Sequence, residues 1–243
     1  MTSWQYDEFQ QVGRNYGNPT EGEIYDSTHA DFRDVEAESK ELLDLLGLAS
    51  SDVLIDFGSG TGTFAIASAR RCVRVHVVDA SQAMIDYAKA KANTAGISNL
   101  VFSHAGFLTY EHLDEPAAAI AMTFALHQLP DLWKGIALAR MRTMLKPDGQ
   151  LYIHDVIREQ DNATEVIKAF INKQSVAGGD FLKRDAEGHF QQEHSTYDWI
   201  LDGLLARTGF RIVSKNYSRG ASSENTIVLE MRALYLNFSA ISE

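Results

Sequence analysis

The sequence predicts a doubly wound α/β fold, a mostly parallel sheet with helices on both faces and an antiparallel pair of strands at its C-terminal end. Three observations carry this. Apolar runs of strand length alternate with helical patterns through most of the chain. A glycine turn, Gly58-Ser59-Gly60-Thr61-Gly62, closes one such run and opens a helix. The last two β-rich runs, 210–217 and 226–234, are joined by a polar gap holding Ser218, Gly220, Ser222 and Ser223, as in a hairpin.

Taken in order, residues 1–35 scatter Trp4, Tyr6, Phe9, Tyr16, Tyr25 and Phe32 among polar residues, with Pro19 and three glycines breaking any long helix. They read as a cap or lid pinned by aromatics, on a main domain of residues 36–243. A helix over 35–48 has Leu42, Leu43, Leu45 and Leu46 as its apolar face and Gly47 near its end. Strand one, 53–57, leads into the glycine turn and the small-residue helix 63–69. A second strand, 73–78, ends in Asp79, and helix 81–95 follows with Met84, Ala88 and Ala92 on one face. Strands at 100–102 and 117–123 come next, the latter apolar throughout and so expected to be buried on both faces.

Pro130-Asp131 opens a long helix, Lys146-Pro147-Asp148-Gly149 is a turn, and 151–156 is a fifth strand. Residues 158–195 interrupt the alternation as an insertion, with a helix over 162–176, then Gly178-Gly179 and a polar stretch. A helix over 197–207 restores it.

At 243 residues, 45% apolar and 10% aromatic, the chain can build a substantial core. Its net charge of −11, from 33 acidic and 22 basic side chains, disfavours nucleic acid as a partner. The single cysteine, Cys72, fits a reducing cytoplasm, and no apolar run reaches membrane-spanning length, so no membrane partner is expected. A cytoplasmic protein is the expectation, with a homo-oligomer left open.

The spacing within the glycine turn narrows its ligand. Dinucleotide turns place glycines at relative positions one, three and six, whereas here they fall at one, three and five. No Gly-Lys-Ser/Thr ending follows, so a phosphate-binding loop is also disfavoured. Asp79 stands at the end of strand two, where a carboxylate can accept from both hydroxyls of a ribose. Helix capping is its structural alternative. The ligand reads as a nucleoside.

These residues, with Val-Val-Asp-Ala-Ser-Gln-Ala-Met at 77–84, Phe-Ala-Leu-His-Gln-Leu-Pro-Asp at 124–131 and Leu-Lys-Pro-Asp-Gly-Gln-Leu at 145–151, resemble the class I S-adenosylmethionine-dependent methyltransferases. The resemblance covers residues 50–155 well and the C-terminal part in outline. It implies a Rossmann-like, seven-stranded sheet with an antiparallel C-terminal hairpin, and S-adenosyl-L-methionine as cofactor. It places Asp56, Phe57 and the turn Gly58, Ser59, Gly60, Thr61 and Gly62 under the methionine part. Asp79 would hold the ribose, Ala80 and Met84 would flank the adenine, and Thr123 and Phe124 would approach the methionine end. Two departures stand out. The family often has Asp where this chain has Gly106, so backbone at Ala105 to Phe107 or a water must meet the adenine amino group. The family also tends to open strand four with Asp, where Ala117-Ala118-Ala119 stands here.

Methyl transfer is an in-line displacement that needs a base only when the acceptor must lose a proton. His127 and His154 lie at carboxyl ends of strands and are the candidate bases; family wording and packing are their structural alternatives. His189 and His194 read as solvated. No metal-ligand spacing is visible, Tyr87 and Lys91 are on the wrong helix for a reductase, and Cys72 reads as inert core. The expectation is a methyltransferase for a small-molecule acceptor. The alternative is a non-catalytic binding module of the same fold, supported by the two departures.

Overall fold

Strand β1 (Val53–Phe57) is buried along its whole length and lies inside the sheet, flanked by a strand on each side, in the computed structural model. The structure describes residues 4–10, 12, 13, 16–18, 22, 26, 34–158, 163–219 and 227–235. β1 pairs in parallel with β2 (Arg74–Asp79) on one side and with β4 (Ala117–Thr123) on the other. β3 (Leu100–His104) lies outside β2, and β5 (Leu145–Arg158) lies outside β4, both parallel. A two-residue strand, β6 (Thr196–Tyr197), extends the end of β5. β7 (Phe210–Arg219) and β8 (Ile227–Tyr235) are antiparallel, and β8 also pairs antiparallel with β5. The order β3-β2-β1-β4-β5-β8-β7 is the expected doubly wound sheet with its C-terminal hairpin.

Alternation along the strands builds a core on each face. Leu54, Val75, Val77, Ala119 and Ala121 pack with Leu42 and Leu46 of α1 (Val35–Leu46), Ala65 of α2 (Thr63–Ala69) and Ile85 of α3 (Gln82–Thr94). Ile55, Phe57, Ile120 and Met122 pack on the other face. Their partners are Leu138 and Met141 of α4 (Asp131–Met144) and, beyond α5 (Ala163–Gln192), Leu201 and Leu205 of α6 (Asp198–Arg207). Each such Leu or Ile contributes about 1.5–3 kcal/mol on burial. Cys72 belongs to this interior, and burial pushes its thiol up to about 11, so it is inert.

Local chemistry sets the helix ends. Asp34 caps α1 by accepting from the Ala37 N–H at 2.9 Å, and Gly47 ends it with φ 57. Ser81, not Asp79, caps α3, accepting from the Met84 N–H at 3.2 Å. Two readings needed correction. β5 starts at Leu145 rather than 151, because the turn at 146–149 is absorbed as an irregularity in its pairing with β4. The polar stretch after Gly178-Gly179 is helical, so α5 is two helical pieces meeting at a kink where Gly179 takes φ 63. Among the described residues no helix is long and apolar enough to cross a membrane.

Candidate active site

The strand order reverses between β1 and β4, and a cleft opens there at the carboxyl edge of the sheet. Its interior holds ≈ 130 Å³ and opens to solvent through its mouth. Gly58 and Gly60 line its floor, and they and Gly62 take φ of 65, 51 and 75, a region that side chains disfavour. Their surroundings differ. A Cβ on Gly58 would overlap the Ala125 methyl, and one on Gly62 would stand 2.8 Å from that of Ala88. Gly60 has nothing within 4 Å of that position. Gly58 therefore admits the loop after β4, Gly62 admits α3, and Gly60 leaves the cleft face open. The Gly58 and Ser59 N–H groups both donate to the Val78 carbonyl, at 2.8 and 3.2 Å, tying the turn to β2.

Asp79 completes this floor. One carboxylate oxygen accepts from the Gly60 N–H and the other from the Ser81 N–H, each at 2.8 Å. Each oxygen keeps a further acceptor position while the residue lines the cleft. Burial raises the Asp79 carboxyl above its ordinary range, opposed by those two hydrogen bonds. Beneath the turn, Asp56 is buried with its Oδ2 lacking a hydrogen-bond partner, and Ser59 Oγ is in the same state. Burial, reinforced by Asp79, drives the Asp56 carboxyl well upward. Orphaned buried acceptors beside an open glycine face suit a ligand that brings N–H donors or water.

The third wall was not foreseen. Glu8, from the N-terminal segment, reaches the turn after β3. Its carboxylate accepts from the Leu108 N–H at 2.9 Å and from Thr109 Oγ1 at 2.6 Å. It fills the space a side chain on Gly106 would need, since a Cβ there would overlap its carboxyl group. Arg140 braces the same turn by donating to the Phe107 and Tyr110 carbonyls, at 3.3 and 2.7 Å. The missing acid at Gly106 is thus matched by an acid from elsewhere in the chain. Burial raises the Glu8 carboxyl, against the hydrogen bonds from Thr109 and Leu108. No sequence signal links residues so far apart.

Tyr6, Gln10, Val12 and Tyr16 also line the cleft. Tyr6 donates to the Gln128 carbonyl at 3.3 Å, and the Tyr16 carbonyl accepts from Ser81 Oγ at 2.6 Å. Asp26 is held by Thr61 Oγ1 and by Lys91 Nζ, both at 2.7 Å. Lys91, with Tyr87 at 3.4 Å from Asp26, thus anchors the N-terminal segment. Tyr25, Phe32 and Pro19 lie outside the described residues.

Of the residues singled out from sequence, Phe57, Gly58, Gly60, Asp79, Ala80, Met84, Gly106, Phe107, Thr123 and Phe124 line the cleft. Asp56, Ser59, Thr61 and Gly62 lie outside its lining, in and beneath the turn. Phe124 has φ 52, an uncommon conformation for a side-chain-bearing residue, with its ring 4.7 Å from that of His154. Neither candidate base lines the cleft. His154 is half-buried and packs on Phe124 and Tyr152. Asp155 belongs to His127 instead, because successive residues of β5 face opposite sides.

His127 is buried in the short 3-10 turn Leu126–Gln128. Its Nδ1 lies 2.5 Å from Asp155 Oδ1, and its backbone N–H donates to Asp155 Oδ2 at 3.0 Å. Its Nε2 faces Glu193 Oε2 at 3.2 Å. Burial pulls the imidazole pKa down, but Asp155 and Glu193 outweigh it and hold it raised. His189, expected in solvent, is half-buried with its Nδ1 on Glu193 and its ring 5.1 Å from that of His127. His194, also expected in solvent, is half-buried, edge-on to Tyr6.

Comparison with known proteins agrees with the cleft. The profile of the methyltransferase domain matches residues 54–149, which run from β1 to the start of β5. An uncharacterized methyltransferase of Geobacillus kaustophilus is 27% identical over 228 residues, covering 94% of this chain and 95% of the relative. A SAM-dependent methyltransferase from Aquifex aeolicus has the same fold, with TM-score 0.62 and 18% identity over 90% of this chain and 99% of that one. Magnesium protoporphyrin IX methyltransferase from Synechocystis, solved with SAH bound, gives TM-score 0.59 and 13% identity, covering 82% of each chain.

Proposed function

We propose that this chain, which belongs to the class I S-adenosylmethionine-dependent methyltransferase family, methylates a small acceptor held beneath its N-terminal segment. It is an enzyme of the transferase class, and S-adenosylmethionine is its cofactor. When bound, the cofactor supplies an electrophilic methyl on a sulfonium. In our reading Asp79 takes the ribose hydroxyls, Gly60 lets the methionine part approach, and Asp56 lies beneath that part under the turn. Ala80 and Met84 flank the adenine, and Glu8 accepts from its amino group. Thr123 and Phe124 then border the path along which methyl leaves.

One observation carries the choice of a small acceptor. Tyr6, Gln10, Val12 and Tyr16 line the cleft that Asp79 and Gly60 floor, so the N-terminal segment partly covers it. Enclosure excludes water and fixes donor against acceptor, which is most of what an in-line displacement needs. The acidic surface points the same way, since it repels phosphate backbones. Magnesium protoporphyrin IX methyltransferase, by its name, acts on a small molecule, which is consistent with this reading. His127 and His154 do not line the cleft, whereas Gln128, next to His127, and Phe124, packed on His154, do.

The test is transfer of labelled methyl from S-adenosylmethionine into fractionated cell extract. Label should enter the low-molecular-mass fraction, and the Asp79→Ala protein should not support it. Label entering only protein or nucleic acid would contradict the small-acceptor reading.

A further inference from the structure

We propose that His127, His189 and Glu193 bind a divalent first-row transition cation, of the Zn²⁺ type, in a centre separate from the donor cleft. The three ligand atoms lie within 4.8 Å of one another. His189 lies in the last turn of α5 and Glu193 just past its end, where the Glu193 N–H still donates to the His189 carbonyl at 3.0 Å, so the two project from one face. His127 comes from the loop after β4, and the His194 N–H donates to the His127 carbonyl at 2.7 Å, holding the two segments together.

The hydrogen bonds on the far side of each imidazole are the decisive feature. His127 Nδ1 is held by Asp155 and His189 Nε2 by Ser195 Oγ at 2.9 Å. That leaves His127 Nε2 and His189 Nδ1 turned toward the same Glu193 oxygen. Metal-binding imidazoles have this arrangement, with the second nitrogen fixed by a carboxylate or hydroxyl. Ligand bonds of about 2.0–2.2 Å in a tetrahedron place ligand atoms about 3.3 Å apart. The Glu193–His127 separation is 3.2 Å, while His189 Nδ1 stands closer to the same Glu193 oxygen and must move back from it to admit a cation. Two neutral imidazoles and a carboxylate, with Asp155 behind, balance a doubly charged cation.

The competing arrangement is protons alone, with His127 an imidazolium between Asp155 and Glu193. Lys134 does not compete for Glu193, since its ammonium is taken by Asp131 Oδ1 at 2.8 Å and the His194 carbonyl at 2.5 Å. Three protein ligands leave a coordination position for solvent or substrate, as reactive rather than purely structural centres do. The inference stands on these residues alone and does not depend on the methyl acceptor. From sequence no such spacing was visible, because His127 is distant in the chain and His189-x-x-x-Glu193 alone is a common helical pair.

The test uses the full chain stripped with chelator and titrated with Co²⁺ and Zn²⁺. One equivalent of Co²⁺ should develop visible absorption bands, and Zn²⁺ should displace it and raise the melting temperature. Asp155→Asn, which removes the carboxylate behind His127 Nδ1 without touching a ligand atom, should weaken affinity by about 10–100-fold. His189→Ala with Glu193→Gln should abolish stoichiometric binding, whereas His112→Ala, in a remote histidine pair, should not. The proposal is overturned if wild-type protein develops no bands. It is equally overturned if binding survives the double substitution, or if ring NMR shows His127 protonated on both nitrogens with Zn²⁺ in excess.

Discussion

The Glu8 carboxyl occupies the volume a side chain on Gly106 would need, so Gly106 cannot gain one while Glu8 is in place. Gly106→Ala should expel the Glu8 carboxylate from the cleft wall, and in a Glu8→Ala background the same change should be tolerated. A charged hydrogen bond is worth about 1.5–3 kcal/mol, so Glu8→Ala should weaken S-adenosylmethionine binding roughly ten- to hundredfold. Calorimetric titration of the four proteins would show this coupling, and additive losses would rule it out. His76 offers a prediction of another kind. It is 3% exposed beside Tyr110, and burial lowers its pKa from 6.5 to about 4. Between those values the unfolded chain binds the proton that the folded chain refuses. Stability contributed by neutral His76 is therefore complete above pH 6.5 and is lost as pH falls toward 4. Its ring resonances should stay neutral at pH 5, and an ordinary titration near 6.5 would contradict the burial argument. At this scale the glycine turn and Asp79 were legible, because spacing carries their chemistry. Glu8 and the pairing of Asp155 with His127 were not, because each joins segments brought together only by folding.

The helices and strands show the same division. α3 was read from its apolar face, but its start depends on Ser81, which caps Met84 and also donates to the Tyr16 carbonyl. Ser81→Ala should cost about 1 kcal/mol through the cap, measurable by urea unfolding. It should also weaken cofactor binding, because the N-terminal segment loses a tie to the cleft floor. Unchanged stability would remove the capping role. Strand β4 was read to the residue, its apolar run being buried from Ala117 to Met122. The second half of α5 was missed because Ala186, His189 and Phe190 do not form a regular apolar stripe. Their inward face is a polar cluster, which periodicity does not register.

For the whole molecule, the alternation of strands and helices was enough to give a doubly wound parallel sheet and the carboxyl edge where the site lies. The enclosure of that edge was less legible. Aromatic residues near the N-terminus suggested a cover, but only the folded chain shows Tyr6, Glu8, Gln10 and Tyr16 lining the same space as Asp79 and Gly60. The central claim is that this cleft holds the methyl donor through Asp79. Calorimetric titration with S-adenosylmethionine tests it most directly, on wild-type and Asp79→Ala protein, with NADH as the competing nucleotide. One molecule of S-adenosylmethionine should bind wild-type protein, affinity should fall by about one to two orders of magnitude in the variant, and NADH should give no heat. Equal affinity in the two proteins, or heat with NADH alone, would contradict the account.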